Sequence, residues 1–162
     1  MTFLFNQFWL FLIIVMVVNG IIWKKNSKKY IKQNPELKEG YDKLIKGFLI
    51  YCNIPWIIMG IGMLTGITKS MESFFYPQLL NPIVLIFNLY GIFIWIYGSY
   101  WIYFKGGAEM IVKHPGLFRN SSYTNDENLN IKIVKFFWAV MILVGIISLI
   151  TRFIGEIPPY LK

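Results

Sequence analysis

The sequence predicts an all-α integral membrane protein, built as an antiparallel bundle of four transmembrane helices. Hydrophobic residues make up 56% of the 162 positions and charged residues only 15%, whereas an average soluble domain has roughly 25% charged residues. Four apolar stretches each reach the ~20 residues with which a helix crosses a bilayer. Basic residues are concentrated in alternate connections between these stretches, which is typical of a multispanning topology.

We expect residues 1–162 to form a single integral membrane domain. The first apolar stretch has neither the preceding basic residues nor the following small-residue cleavage pattern of a signal peptide, so it is interpreted as a membrane helix. The four predicted spans cover about residues 3–23, 48–68, 83–104 and 133–154.

The distribution of basic residues predicts the orientation. Thirteen of the sixteen Lys and Arg residues lie in segments 24–46 and 105–135, and three lie elsewhere. By the positive-inside rule, loops 24–47 and 105–132 are cytoplasmic and both termini are non-cytoplasmic. We expect a bacterial inner membrane, with an organellar inner membrane as the alternative. The basic side is expected to contact anionic lipid headgroups rather than nucleic acid.

The second span is predicted to carry a cytoplasmic amphipathic extension. Asn34 and Pro35 form a typical helix start. Apolar residues then recur at helical spacing, and charged residues occupy the opposite face. The extension either lengthens the membrane helix or provides a docking face for a partner or for anionic lipid. The apolar face consists of Leu37, Tyr41, Leu44, Ile45 and Phe48.

Within the second span, Asn53 and Pro55 are the notable residues. Pro55 has no N–H to donate, so the carbonyl of Tyr51 loses its helical partner and the helix is expected to kink. Asn53 needs a hydrogen-bond partner inside the membrane. Either Asn53 makes an interhelical hydrogen bond, together with Asn19 or Asn88, or these amides line a path for a substrate or an ion.

The small residues Gly62 and Gly66 are spaced four apart and predict close packing of a neighbouring helix, within the chain or in an oligomer. Glu109 and His114 form the one candidate interfacial site for acid–base chemistry. Their separation of five residues does not place them on one helical face. With one Cys and one His in the chain, we expect no metal site and no cofactor.

The segment Asn53–Gly60 resembles part of a family of small uncharacterised bacterial proteins with four transmembrane helices. The resemblance also includes Asn81-Pro82, Tyr100-Trp101 and Gly106–Phe118, and it covers about two thirds of the chain. It implies a bacterial inner membrane and carries no known activity.

Three hypotheses for the function follow. The first is a non-catalytic membrane subunit or scaffold that joins a larger assembly, because intramembrane carboxylates are absent and catalytic groups are few. The alternative is a small homo-oligomeric channel or carrier lined by Asn53 and other span amides. A third is an enzyme that acts on a lipid or a quinone through Glu109 and His114. In the first two, the chain is part of a homo- or hetero-oligomer.

Overall fold

The structure is a computed structural model that describes residues 6–117 and 129–158. Within these residues every regular element is a helix. Short 3₁₀ turns lie in the connections at Pro35–Leu37, Met71–Phe75 and Pro77–Leu79. The six α-helices are α1 (Phe8–Gln33), α2 (Lys38–Tyr51), α3 (Ile54–Leu64), α4 (Pro82–Phe104), α5 (Gly107–Lys113) and α6 (Ile131–Ile154).

Four helical stretches are long and apolar enough to cross a membrane, which confirms the all-helical class and the number of candidate spans. Three of them are α1, α4 and α6, and the fourth is Pro35–Leu64, which joins a 3₁₀ turn, α2 and α3. Outside the break at Cys52 and Asn53 in the fourth stretch, the helices pair their own backbone groups, as a hydrocarbon environment requires.

The first helix is longer than the apolar stretch that predicted it. Helix α1 continues through the lysine-rich residues to Gln33. At 1.5 Å per residue, its 26 residues reach about 39 Å, more than the ~30 Å hydrocarbon core. The basic segment 24–33 is therefore helical. The turn between the first two spans is limited to Asn34, whose side chain accepts a hydrogen bond from the N–H of Glu36 at 3.2 Å.

Glycines let large side chains approach where the helices pack. A Cβ at Gly20 of α1 would lie 2.5 Å from Leu49 of α2, and a Cβ at Gly60 of α3 would lie 2.7 Å from the ring of Trp9 in α1. Both glycines are buried. The first hairpin, which α1 forms with Pro35–Leu64, is thus held by a side chain packed against a glycine at mid-length and by another near its open end.

Helices α4 and α6 make a reciprocal pair of such contacts. The indole of Trp138 in α6 covers Gly98 of α4, and the indole of Trp95 in α4 covers Gly145 of α6. The Trp138 N–H also donates to the hydroxyl of Ser99 at 3.0 Å. Helix α6 also contacts α5, and it contributes no buried residue among its 24.

The buried side chains form two separate clusters. One lies at the lysine-rich end, called here the basic end, where α2 meets the segment after α5. The other lies at the opposite end, where α3 and α4 meet the 3₁₀ turns. The basic-end cluster comprises Leu37, Tyr41, Ile45 and Leu117, and the second cluster comprises Met59, Met71, Phe74 and Val84.

Candidate functional site

The second span is interrupted at Cys52 and Asn53, between α2 and α3. Pro55 follows this break and has no N–H for the carbonyl of Tyr51. The hydroxyl of Tyr90 in α4 donates to that carbonyl at 3.0 Å. A side chain from a neighbouring helix therefore satisfies the backbone group that the proline leaves without its helical partner.

Asn53 lies in this break and is 7% exposed. Its Nδ2 donates to the carbonyl of Leu49, one turn earlier in the same span, at 2.6 Å. Its Oδ1 is buried and accepts no hydrogen bond from the part of the chain that the structure describes. The Asn53 amide is thus half satisfied within the membrane span, with an acceptor still available.

The other two amides proposed to act with Asn53 lie elsewhere. Asn88 in α4 donates to the carbonyls of Phe74 at 3.1 Å and Val84 at 2.8 Å. The side chain of Asn19 in α1 makes no hydrogen bond within residues 6–117 and 129–158, and it is half-buried. No hydrogen bond joins any two of these amides there. A shared polar lining remains a prediction.

The two glycines of the small-residue motif have different surroundings. Gly62 is buried, and a Cβ there would lie 2.8 Å from the ring of Phe74. A Cβ at Gly66 would have no neighbour within 4 Å, but the φ of +72° would strain any other residue there. Gly62 therefore permits close packing inside the chain. Gly66 provides the left-handed turn just after α3.

His114 is held on the surface of α2 at the basic end. It is 5% exposed, and its Nδ1 lies 2.6 Å from the carbonyl oxygen of Met110. Since a carbonyl oxygen can only accept, Nδ1 is the donor of this hydrogen bond. The ring meets the ring of Tyr41 edge-on, with centroids 4.8 Å apart. The Nε2 edge faces Gly40 so closely that a Cβ at Gly40 would collide with it.

The residues that follow His114 extend this contact to α1 and α2. The hydroxyl of Tyr41, which is fully buried, donates to the carbonyl of Pro115 at 2.6 Å. Gly116 has a φ of +84° and lies against the ring of Tyr30 in α1. Asn26 of α1 donates to the carbonyl of Gly116 at 3.5 Å. We call residues 114–117 the clasp, because they fasten onto the first hairpin.

Glu109 has different neighbours. It lies 3.7 Å from the ammonium of Lys135 at the start of α6, and its side chain is half exposed. A Cβ at Gly107, two residues earlier, would lie 2.5 Å from Trp101 of α4. Helix α5 therefore contacts α4 and α6 through Gly107 and Glu109, whereas His114 contacts α2. The two candidate acid–base residues make no contact with each other among the interactions described.

This geometry favours a structural role for His114. One ring nitrogen is bonded to a carbonyl within its own turn, and the other edge is packed against the α2 backbone. Sequence reasoning missed Gly40 and Tyr41 as the partners of His114. A buried aromatic on the apolar face of α2 was predicted, but nothing in the sequence paired it with a segment 74 residues away.

Groups of three or more His, Cys, Asp or Glu side chains that could hold a metal ion do not occur within the described ranges. The four candidate spans and their apolar surfaces are compatible with an integral membrane protein. No family model matches the sequence, and searches of curated proteins and of solved structures found no match. The functional argument therefore rests on the residues of this chain.

Proposed function

We propose that the chain is a non-catalytic integral membrane subunit or scaffold, whose exposed helix faces pack against other membrane-spanning helices. The observation that carries this proposal is the low burial of its four candidate spans. In the most apolar part of each span, only 6% of residues are buried in α1, α4 and α6, and 22% in Pro35–Leu64.

A self-contained helix bundle buries one apolar stripe of each helix against its neighbours. Here the chain has two small clusters at its ends and little buried side chain between them. Large apolar side chains remain exposed along every span. Lipid tails are as apolar as these side chains, so assembly with other helices depends on close packing rather than on hydrophobicity.

The contacts of α4 with α6 support an antiparallel arrangement of the bundle. In chain order along α4, Trp95 contacts Gly145 and Ser99 contacts Trp138. The Tyr103 hydroxyl then reaches the Lys135 carbonyl at 2.9 Å. The partner number in α6 thus falls as the number in α4 rises. We further propose that the basic end faces the cytoplasm of a bacterial cell, against anionic lipid headgroups, with both termini on the other side.

One glycine offers a direct test of packing against another protein. A Cβ at Gly91 in α4 meets nothing within 4 Å, whereas Gly98 in the same helix is covered by Trp138. Gly91→Val should therefore leave the monomer intact. If a partner helix packs against this bare backbone, the same change removes the partner.

The experiment measures the native mass of the complex after gentle extraction from its own membrane. Wild type is expected to co-purify with other polypeptides. Gly91→Val is expected to lose them while retaining wild-type stability. Gly98→Val is the control that weakens the monomer itself. A mass equal to one chain of 19.1 kDa plus lipid, unchanged by Gly91→Val, would overturn the subunit proposal.

The second candidate is a small homo-oligomeric channel or carrier. It is favoured by the Oδ1 of the buried Asn53, which accepts no hydrogen bond from the described residues. An unpaired acceptor at a helix break offers a site for a water molecule or a cation inside the membrane. This function predicts a mass at a multiple of 19.1 kDa. It also predicts that Asn53→Leu abolishes ion flux in liposomes while the oligomer persists.

A further inference from the structure

A cavity of about 480 Å³ lies at the end opposite the basic end, between the first turn of α1 and the chain that leaves α3. Pockets that hold small molecules in proteins measure about 300–1,000 Å³, so the space is sufficient for more than a single ion. Its lining combines polar residues, called here the polar wall, with apolar residues, called the apolar wall. They include Asn6, Gln7, Thr68, Lys69, Trp9 and Leu64.

The polar wall favours an anion. Among the described residues of the lining, Lys69 is the one charged side chain and none is acidic. Lys69 forms no ion pair within the described residues. The side-chain amides of Asn6 and Gln7 make no hydrogen bonds there either, so their N–H groups are available as donors. An ammonium and two amides together suit an oxyanion with several acceptor oxygens.

Trp9 adds a further donor beside the cavity. Its ring packs on Gly60 and also forms part of the cavity wall. The indole Nε1 is buried and has no acceptor among the described residues. Buried polar groups are normally hydrogen-bonded. A ligand oxygen, once the indole turns toward the cavity, would supply the acceptor that the described residues do not.

The apolar wall indicates that the anion carries a hydrocarbon tail. Leu64 lines the cavity, is 72% exposed and is the last residue of α3. Beyond it the outer faces of α1 and α3 are apolar and exposed. A headgroup in the cavity would thus continue directly into a chain lying along these faces.

We propose that this cavity binds the phosphate headgroup of an anionic membrane lipid. The site lies at the end of the molecule with few basic residues, so it is distinct from general attraction of lipid to the lysine-rich end. This lipid-binding proposal does not depend on whether the chain is a subunit or a channel.

The test uses the full chain purified in a neutral detergent, titrated with phosphatidylglycerol and followed by native mass spectrometry. Wild type should bind one lipid saturably before weaker binding begins. Lys69→Gln should weaken that first site about tenfold, because it removes the only charge among the described residues of the lining. Lys28→Gln is the matched control, since it removes an exposed lysine at the basic end and should leave the first site unchanged.

A second variant and a second ligand sharpen the test. Trp9→Phe keeps an aromatic ring but removes the N–H, and should weaken the same site severalfold. Equal affinity of the first lipid for wild type and Lys69→Gln would overturn the proposal. Inorganic phosphate that binds as tightly as the lipid would also overturn it, because the tail would then contribute nothing. Lys69 is exposed, so Lys69→Gln should fold normally even if Trp9→Phe does not.

Discussion

Replacing Gly40 with alanine should release the clasp from the first hairpin. The added methyl group occupies the space now filled by the Nε2 edge of His114. His114 is buried and held from behind by the Met110 carbonyl, so it has little freedom to move within the clasp. We therefore expect the whole segment to shift away from α2, and with it the hydrogen bond from Tyr41 to Pro115.

The expected loss of stability combines two destabilising contributions with one that stabilises the helix. Inserting a methyl group into a packed contact costs about 1–3 kcal/mol, and loss of a buried hydrogen bond adds about 1 kcal/mol. Alanine is a better helix former than glycine by about 0.5–1 kcal/mol, which offsets part of this cost. Gly40→Ala should thus lower the free energy of unfolding by about 1–3.5 kcal/mol.

The assay is unfolding in mixed micelles by a denaturing detergent, with Gly47→Ala as the matched control. Gly47 lies in the same helix, and a Cβ there would be 4.0 Å from its one near neighbour, a ring carbon of Tyr51. Gly47→Ala should therefore be neutral or stabilising by up to about 1 kcal/mol. Both variants gain the higher helix propensity of alanine, but only Gly40→Ala places a methyl group against His114.

A double variant isolates the contact with His114. His114→Ala alone should destabilise the chain, since it removes a buried ring. In that background, however, Gly40→Ala should cost little, because the atoms it collides with are gone. The two effects should therefore be non-additive by at least about 1 kcal/mol. Additive effects, or a Gly40→Ala variant as stable as Gly47→Ala, would refute the argument that His114 docks on bare backbone.

Three further predictions concern the spans. Tyr90→Phe should destabilise the chain by about 0.6–1.5 kcal/mol in the same unfolding assay, since it leaves the carbonyl at the helix break without its donor; wild-type stability would argue that the break needs no partner. Gly98→Ala should cost about 1–3 kcal/mol, because its methyl group meets a neighbouring indole, whereas Gly91→Ala should be neutral or slightly stabilising; equal effects would contradict the packing. The orientation can be tested by labelling single cysteines in intact cells, in a Cys52→Ser background. Lys28→Cys should react only with membrane-permeant thiol reagents, whereas Glu156→Cys should react with impermeant reagents as well. The reverse pattern would overturn the proposed orientation.

Much of the helical framework was predictable because a bilayer limits the choices. A backbone in hydrocarbon must satisfy its own hydrogen bonds, so a long apolar stretch leaves little alternative to a helix. The ends of the helices were less predictable. Helix α1 runs through its lysines to Gln33, since outside the hydrocarbon lysine is a good helix former and hydropathy no longer marks the boundary. Residues 3–5 of the first predicted span lie outside the described residues.

For the amides and the proline, the sequence predicted which groups need a hydrogen bond but did not predict their partners. The sequence identified the Tyr51 carbonyl as the group that Pro55 leaves without its helical partner, but it did not identify Tyr90 as the donor. Asn53 and Asn88 each bond a carbonyl four residues earlier in the chain, at Leu49 and Val84. Such local bonds are always within reach in a helix, whereas a bond between spans depends on packing that a sequence does not display.

The contacts of the clasp depend entirely on the tertiary fold, and they help to join the first hairpin to the second, which is formed by α4 and α6. Residues Gly107–Lys113 contact α4 and α6 on one side, and His114 and Pro115 contact α2 on the other. At the basic end, one short segment thus touches both hairpins. At the opposite end, the connection between α3 and α4 does the same through Gln78, which donates to backbone carbonyls at the end of α6. The hairpins are therefore joined at both ends and also along the contact of α3 with α4, near which the Tyr90 hydroxyl bonds the Tyr51 carbonyl. The outer faces of the spans remain exposed and available to lipid or to another helix.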